Sequence, residues 1–356
     1  QRPSVGLLKA QDESLLSPPI DIPVIDLTPF TTGGGVQQKQ KVGRQVQEAC
    51  KKFGVFYVTG HGIAEHDLRA VFQASKEFFN LPMEAKREVP FLSGGFTRGY
   101  IGIGEESGSD MYEAKEAFSY GFDWDPEEKP ENPLQGPNEW PKQQSGLNND
   151  WRTTMNDYYM SNCKVASALT SALAMSLNLD EEAFDDLCTG GDTISLMRLF
   201  HYLPQHSPET LEGTTSGRSV TGSSPHTDWG WLTVILQDPS VVALELRHGG
   251  RWHAIPPKPN TLLVNIGDYV ALMTGGEYIS PLHRVVSGAK ERFSFVFFSY
   301  PGYDAKLPRV NIEEGKELSL LKDQSFQSAS ASSGSGVEVP AFGAFISQKW
   351  EQVQRK

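Results

Sequence analysis

Ser224-Pro-His-Thr-Asp-Trp-Gly-Trp-Leu-Thr-Val-Ile-Leu-Gln237 is the stretch whose reading decides the fold. Its second half, Leu232 to Gln237, is an apolar, β-branched run of strand length. Its first half carries His226 and Asp228 two positions apart. Residues i and i+2 of a β-strand face the same side, so this pair can reach one ion together. A third candidate, His283, stands fifty-five residues after Asp228 and is expected on a second strand folded beside the first. Two imidazoles and one carboxylate make a small facial set that leaves about three positions open on a six-coordinate metal.

Nine residues beyond His283 comes Arg292-Phe-Ser294, inside the apolar run Arg292 to Tyr300. This is again a period-2 pair on one strand face. An arginine held by a β-framework can grip a carboxylate through two parallel hydrogen bonds, and a serine hydroxyl adds a third. A metal triad and an anion clamp on neighbouring strands suit a chelating dicarboxylate.

From Thr193 onward the chain is a series of short strand signals: 194–202, 232–237, 242–246, 261–266, 283–286 and 293–298. Gly, Pro, Asn and Asp punctuate them, and no long helix intervenes. That texture indicates a sandwich or jelly roll. His248-Gly-Gly-Arg251 reads as a hairpin turn. Upstream, helical spacing predicts helices over 37–52, 65–79 and 150–178, with a shorter one after Asp180. Ile22–Leu27 and 54–60 read as strands. The segment 91–149 is rich in Gly, Pro and charge, and its pieces 96–100 and 115–121 read as an active-site flank. The fold class is thus mainly β with flanking helices, an α+β chain. The organisation expected is a loose arm (1–21), an N-terminal α/β region (22–149), a long supporting helix with a short one (150–192) and a catalytic core (193–305). A C-terminal segment (306–356) closes the chain, with a mobile Ser/Ala/Gly-rich loop at 325–336 and a terminal helix at 344–353.

The chain has 356 residues, 38% of them hydrophobic and 10% aromatic, enough for a substantial core. It begins with Gln, as a processed or trimmed chain would. Its net charge of −12 and pI near 5.2 disfavour binding to phosphate backbones. No apolar run approaches the roughly 20 residues of a membrane helix, and no signal-peptide pattern stands at the start. Cys50, Cys163 and Cys188 are odd in number and far apart, which argues against a disulfide framework and for a reducing, cytoplasmic setting. A monomer or weak oligomer without nucleic-acid or membrane partners is the expectation.

Taken together these motifs resemble the Fe(II)- and 2-oxoglutarate-dependent dioxygenases, in the branch that includes isopenicillin N synthase and the plant flavonoid and gibberellin oxidases. The resemblance extends over Ile22–Leu27, 49–63, 78–86, 133–141, Asn265-Ile-Gly-Asp268, 280–285 and the Arg292/Ser294 pair. It implies a double-stranded β-helix (jelly roll) core behind an N-terminal helical region. It implies iron on His226, Asp228 and His283, and the distal carboxylate of 2-oxoglutarate on Arg292 and Ser294 with help from Tyr202. Where many relatives have Asn two residues before that Tyr, this chain has Phe200. The activity implied is O2-dependent oxidation of a small molecule of secondary metabolism by hydroxylation, desaturation or ring formation, with release of succinate and CO2.

Trp229, directly after the metal-type Asp, is expected to line the substrate pocket, and Arg98, Tyr100 and Phe200 are further substrate-side candidates. Trp231 and Phe297 read as core. His201 alternates away from Tyr202 and reads as a packed strand residue, while His61, His66, His206, His248 and His253 read as loop or surface residues. Two other functions fit the same residues: an iron oxidase that does not use 2-oxoglutarate, and a non-catalytic jelly-roll receptor. Succinate release with and without 2-oxoglutarate separates the first, and iron-dependent O2 uptake the second.

Overall fold

The structure is a computed structural model that describes residues 17–89, 91, 98–107, 109–125, 127–142, 146–207, 210, 217–310, 318–320 and 340–354. The Ser/Ala/Gly-rich stretch 325–336 and residues 1–16 of the expected arm lie outside the described residues.

The N-terminal part contributes strands β1 (Val24–Asp26) and β2 (Val55–Thr59), with helices α1 (Thr28–Thr31) and α2 (Val36–Lys52) between them. Helices α3 (Glu65–Phe79) and α4 (Met83–Arg87) follow, then strands β3 (Gly99–Ile101), β4 (Tyr112–Glu113) and β5 (Lys115–Gly121). The long helix α5 (Trp151–Ser176) and the short α6 (Asp185–Cys188) lead into β6 (Leu196–Tyr202), β7 (Val220–Thr221) and β8 (Ser223–His226). Strands β9 (Leu232–Gln237), β10 (Leu244–His248), β11 (Arg251–Ala254) and β12 (Leu262–Ile266) come next. Helix α7 (Asp268–Met273), strands β13 (His283–Val285), β14 (Arg292–Ser299), β15 (Pro308–Val310) and β16 (Leu318–Leu320), and helix α8 (Phe342–Gln354) complete the order.

Two sheets make the jelly roll. The large one runs β1-β2-β12-β9-β14-β6-β5-β3, and the small one runs β11-β10-β13-β8. The period-2 pattern of β14 explains how the layers close. Phe293, Phe295 and Phe297 enter the core shared with α2, α3 and α5, whereas Arg292, Ser294, Val296 and Phe298 face the space between the sheets. That space is packed at one end by Tyr57, Ile235, Leu244, Leu246, Leu263 and Val296, drawn from both sheets. At the other end it stays open.

Three sequence readings change in the structure. First, 115–121, read as an active-site flank without a strand, is a fully buried strand paired along its whole length with β6, and its first residue, Lys115, does face the space between the sheets. Its burial on both faces hides the alternation that marks a half-exposed strand. Strands β1, β2, β3 and β5 of 22–149 thus continue the large sheet of the core, while β4 pairs with β7 in a separate two-stranded ladder. Second, Ser224–Gln237 is two strands in two different sheets, joined by the connection that carries Asp228. Third, His61, read as a loop or surface residue, stands in a loop but is buried, its Nδ1 accepting the Ile63 amide at 3.2 Å. The hairpin at 248–251 forms as expected, with Gly249 and Gly250 at φ 56° and 75° supplying the positive angles of a two-residue turn. Cys50, Cys163 and Cys188 are free thiols.

Candidate active site

The open end of the jelly roll is a cavity of about 460 Å³. His226 and His283 meet there because β8 and β13 pair antiparallel with these two residues directly opposite. Their ring centroids are 4.3 Å apart. Asp228 reaches the same point from beyond the end of β8, so the i, i+2 relation survives although Asp228 is not on the strand. Its backbone is pinned by the Asp268 amide, which donates to the Asp228 carbonyl at 2.7 Å. Close approach behind this loop requires Gly267, where a Cβ would stand 2.0 Å from the Gly230 carbonyl oxygen.

The donor atoms are oriented by their neighbours. His226 Nδ1 lies 2.7 Å from the Ser224 carbonyl and His283 Nδ1 lies 3.0 Å from that of Pro281. A carbonyl only accepts, so each Nδ1 carries the proton and each Nε2 offers a lone pair. The two Nε2 atoms are 3.9 and 3.7 Å from Asp228 Oδ1. Asn265 donates to Asp228 Oδ2 at 3.0 Å, and Thr233, its register partner on β9, bonds the same carboxylate. At metal–ligand distances of about 2.1 Å, adjacent donors of an octahedron lie about 3 Å apart and opposite donors about 4.2 Å. The Nε2–Oδ1 distances lie between these two values and all ligand atoms lie within 4.8 Å of one another, so small side-chain adjustments bring all three onto one divalent ion.

Electrostatics prepares these groups for a cation. Burial opposes the charge of Asp228, but His283, His226, Asn265 and Thr233 outweigh it and hold its pKa below the ordinary carboxylate value. Burial, and next the His283 ring, push the His226 pKa down to about 4. That imidazole keeps 42% of its side-chain surface open, yet it opens into a cavity walled by protein, which is why desolvation still governs it. Both groups are thus in the metal-binding protonation state at neutral pH.

The second charged feature is Arg292, 2% exposed. On the neighbouring strand Tyr202 is its register partner, with the guanidinium carbon 4.9 Å from the ring centre and a side-chain hydrogen bond between them. Among the described residues, Arg292 Nε and Nη1 have no hydrogen-bond partner. Burial lowers its pKa, with Tyr202 and Asp238 opposing. A buried guanidinium with two unused donors is costly unless an anion completes it. Ser294 lines the same cavity one alternation further along β14.

The remaining walls are Phe200, Ile235, Val296, Phe298, Trp229 and Trp350 among others. Trp229 meets Trp350 of α8 edge-on, ring centroids 5.4 Å apart. Trp231 turns away into the core and donates to Thr170 Oγ1 at 3.1 Å. Arg98 and Tyr100 do not reach this cavity. Arg98 donates to Asn138 Oδ1 and the Leu134 carbonyl at 3.2 and 3.3 Å. The Tyr100 hydroxyl donates to Glu116 at 2.5 Å on the helix side of the sheet. Strand alternation sends His201 to that side too, where it stacks on Phe293 and bonds Glu116 at 2.8 Å.

Sequence reasoning passed over two ion pairs in the cavity wall. Arg198 Nη1 contacts both Glu106 oxygens at 2.9 and 3.0 Å, and Lys115 donates to Glu113. The signal for Arg198 was its alternation with Phe200 and Tyr202. For Lys115 and Glu113 there was none until β5 was known to be a central strand. Asn265, quoted within a motif, had no assigned task.

Comparison with known proteins places this geometry. Residues 22–143 match the family described as the non-haem dioxygenase in morphine synthesis N-terminal region, and residues 193–301 match the 2OG-Fe(II) oxygenase superfamily. The chain belongs to this family of Fe(II)- and 2-oxoglutarate-dependent oxygenases. Clavatol oxidase claD of Penicillium crustosum is 33% identical over 314 residues, covering 82% of this chain and 88% of the relative. The 2-oxoglutarate-dependent dioxygenase traH of the same species is 33% identical over 299 residues, covering 81% and 86%. The fold is shared with a full-length Neurospora crassa protein solved in complex with alpha-KG, at a TM-score of 0.73 and 24% identity over 96% of this chain and 98% of that one. The protein is an oxidoreductase that uses Fe(II), 2-oxoglutarate and O2 to oxidise a small molecule, with release of succinate and CO2. No helix among the described residues is long and apolar enough to cross a membrane.

Proposed function

We propose that His226, Asp228 and His283 hold the iron, that Arg292, Ser294 and Tyr202 take the distal carboxylate of 2-oxoglutarate, and that Trp229 and Phe200 bound the substrate space. The observation that carries this reading is the buried Arg292, with two donors unused, opening into the same cavity as the triad. Bound iron supplies O2 activation and oxidation of a substrate C–H coupled to decarboxylation of the co-substrate. The protein's own groups set the terms. Asp228 contributes the one negative charge of the ligand set and the two neutral imidazoles none, so a divalent ion keeps net positive charge toward an anion. Arg292 fixes the far end of that anion, and the apolar walls around it exclude water, which strengthens the ion pair.

Substrate chemistry follows from the walls. Phe200, Ile235, Val296, Trp229 and Trp350 present flat apolar surface, and the Arg198–Glu106 pair supplies one polar edge. A compact, largely apolar, aromatic-type metabolite of secondary metabolism fits that lining. The test is succinate formation by the Fe(II)-loaded protein with 2-oxoglutarate and O2, alone and across a panel of phenolic and polyketide metabolites. Succinate above the metal-free control, stimulated by one class of panel member, is expected. No succinate under any condition would refute the reading.

A further inference from the structure

We propose that Lys115 is a second cationic contact for the co-substrate, holding the carboxylate adjacent to its keto group where Phe200 offers no hydrogen bond. This rests on the assignment of the cavity to 2-oxoglutarate made above.

The placement comes from strand register. Strand β6 lies between β5 and β14, and Tyr202 is the register partner of Lys115 on one side and of Arg292 on the other. The three side chains form one row across the cavity wall, a cation at each end with the tyrosine between. Neighbouring strands lie about 4.8 Å apart, so the two cationic residues stand about 10 Å apart at the backbone. That spacing suits two ends of one short dicarboxylate better than two contacts to one carboxylate. Lys115 leans along the wall rather than away from it, and its Nζ lies 5.3 Å from the centre of the Phe200 ring. The ammonium therefore stands beside the Phe200 ring on the cavity wall, where it offers the hydrogen bonds that the phenyl ring cannot.

The chemistry of the ammonium agrees. Lys115 is 8% exposed and lines the cavity. It has three donors, and Glu113 is the partner the structure shows for one of them. Burial disfavours its charge, but Glu113, Glu106 and Tyr202 outweigh that and hold its pKa above the ordinary lysine value. The group is a fixed cation at neutral pH and cannot serve as a base. Glu113 also ties it to the metal site. The same carboxylate accepts the Ser224 hydroxyl, and the Ser224 amide at 2.9 Å, and the Ser224 carbonyl accepts from His226 Nδ1 at 2.7 Å. One chain of contacts thus sets the position of the ammonium relative to the ligand histidine.

The experiment titrates 2-oxo acids into Co(II)-saturated protein without O2, by calorimetry, for wild type, Lys115→Met, Lys115→Arg and Arg292→Met. The two probes are 2-oxoglutarate and 2-oxopentanoate, which lacks the distal carboxylate. Loss of a charge-assisted hydrogen bond corresponds to about tenfold to a hundredfold in affinity. Lys115→Met should weaken both probes by the same factor in that range, Lys115→Arg should recover part of it, and Arg292→Met should weaken 2-oxoglutarate alone. Co(II) affinity, measured separately, should change little in Lys115→Met. If Lys115→Met instead weakens Co(II) and leaves both 2-oxo acids unchanged at metal saturation, Lys115 serves only to support His226 and the inference is overturned. If it weakens 2-oxoglutarate but not 2-oxopentanoate, it contacts the distal end and the inference is again overturned. Wild type failing to bind either probe would instead overturn the assignment of the cavity itself.

Discussion

Replacing Arg292 with methionine separates a residue kept for a ligand from one kept for stability. Met is of similar length and apolar, so it fills the slot beneath Tyr202 without a charge. In the ligand-free protein the guanidinium is 2% exposed, and its Nε and Nη1 lack partners among the described residues. Removing it relieves a desolvation cost rather than breaking a network. The apparent Tm of Arg292→Met without ligand should therefore equal or exceed that of wild type. Binding should behave in the opposite way. Two charge-assisted hydrogen bonds at about 1.5–3 kcal/mol each amount to about 3–6 kcal/mol, or roughly a hundredfold to ten-thousandfold in Kd. At 2-oxoglutarate one hundred times the wild-type Kd, linkage stabilises wild type by about 2.7 kcal/mol. An unfolding entropy of about 2.1 cal/mol/K per residue, taken over 356 residues, converts this to a Tm rise of about 3–4 °C. The assay is thermal unfolding of the metal-loaded protein with and without 2-oxoglutarate under anaerobic conditions. Wild type should show the rise and Arg292→Met essentially none. A mutant that keeps the full shift, or whose unliganded Tm falls by several degrees, refutes the argument that Arg292 is an anion site.

Asp228→Ala should abolish iron-dependent succinate production, because the two imidazoles alone leave a cation without its anionic ligand; full turnover in this variant would remove Asp228 from the ligand set. Asn265→Ala frees one oxygen of Asp228 and should weaken metal affinity about tenfold to a hundredfold, read by competition with a chromophoric chelator. Glu116 sits beneath β5 with Lys86, Tyr100 and His201 around it, and burial opposes its charge while His201, Lys86 and Tyr100 outweigh that and lower its pKa from 4.5. A depressed carboxylate contributes stability above its unfolded pKa and loses it as pH falls through the folded value, so the wild-type urea midpoint should drop below about pH 4.5. Glu116→Gln should cost about 3–5 kcal/mol at pH 7 by leaving Lys86 without its carboxylate, and should flatten that acid limb; an unchanged midpoint at pH 7 contradicts the network. Trp350→Ala removes the edge contact to Trp229 and the face over Arg198, whose guanidinium carbon lies 5.0 Å from the ring centre. It should raise the substrate KM more than it lowers kcat, and an unchanged KM would place the indole outside the substrate path.

Some of this architecture is written locally. The helices expected at 37–52, 65–79 and 150–178 appear as Val36–Lys52, Glu65–Phe79 and Trp151–Ser176; the first two bury one face with apolar residues spaced accordingly, and the third is long and buried on most sides in its second half. The strand Leu232–Gln237 and the hairpin at 248–251 were legible for the same kind of reason, an apolar run in one case and two positive-φ glycines in the other. The strand Lys115–Gly121 was not, since it is buried on both faces and carries Lys115 and Glu116 on opposite sides, the first neutralised by Glu113 two residues before it and the second by Lys86 and His201 from other elements. Arg98 and Tyr100 were expected on the substrate side because that segment shapes it in the family resembled, but Tyr100 on β3 points to Glu116 and the helices, and Arg98 bonds Asn138 and Leu134.

Sequence alone offered the candidates His226/Asp228 and Arg292/Ser294 through their i, i+2 spacing, a local property, whereas His283 was singled out by the wider family pattern; the structure brings all five to one cavity. Tertiary structure alone decided which residues share the cavity with them. Pairing of β8 with β13 brings His226 against His283, and pairing of β6 with both β5 and β14 puts Lys115, Tyr202 and Arg292 in one row. Register between strands distant in the chain is set by how whole sheets bury their apolar faces, a sum over many residues that no short stretch contains.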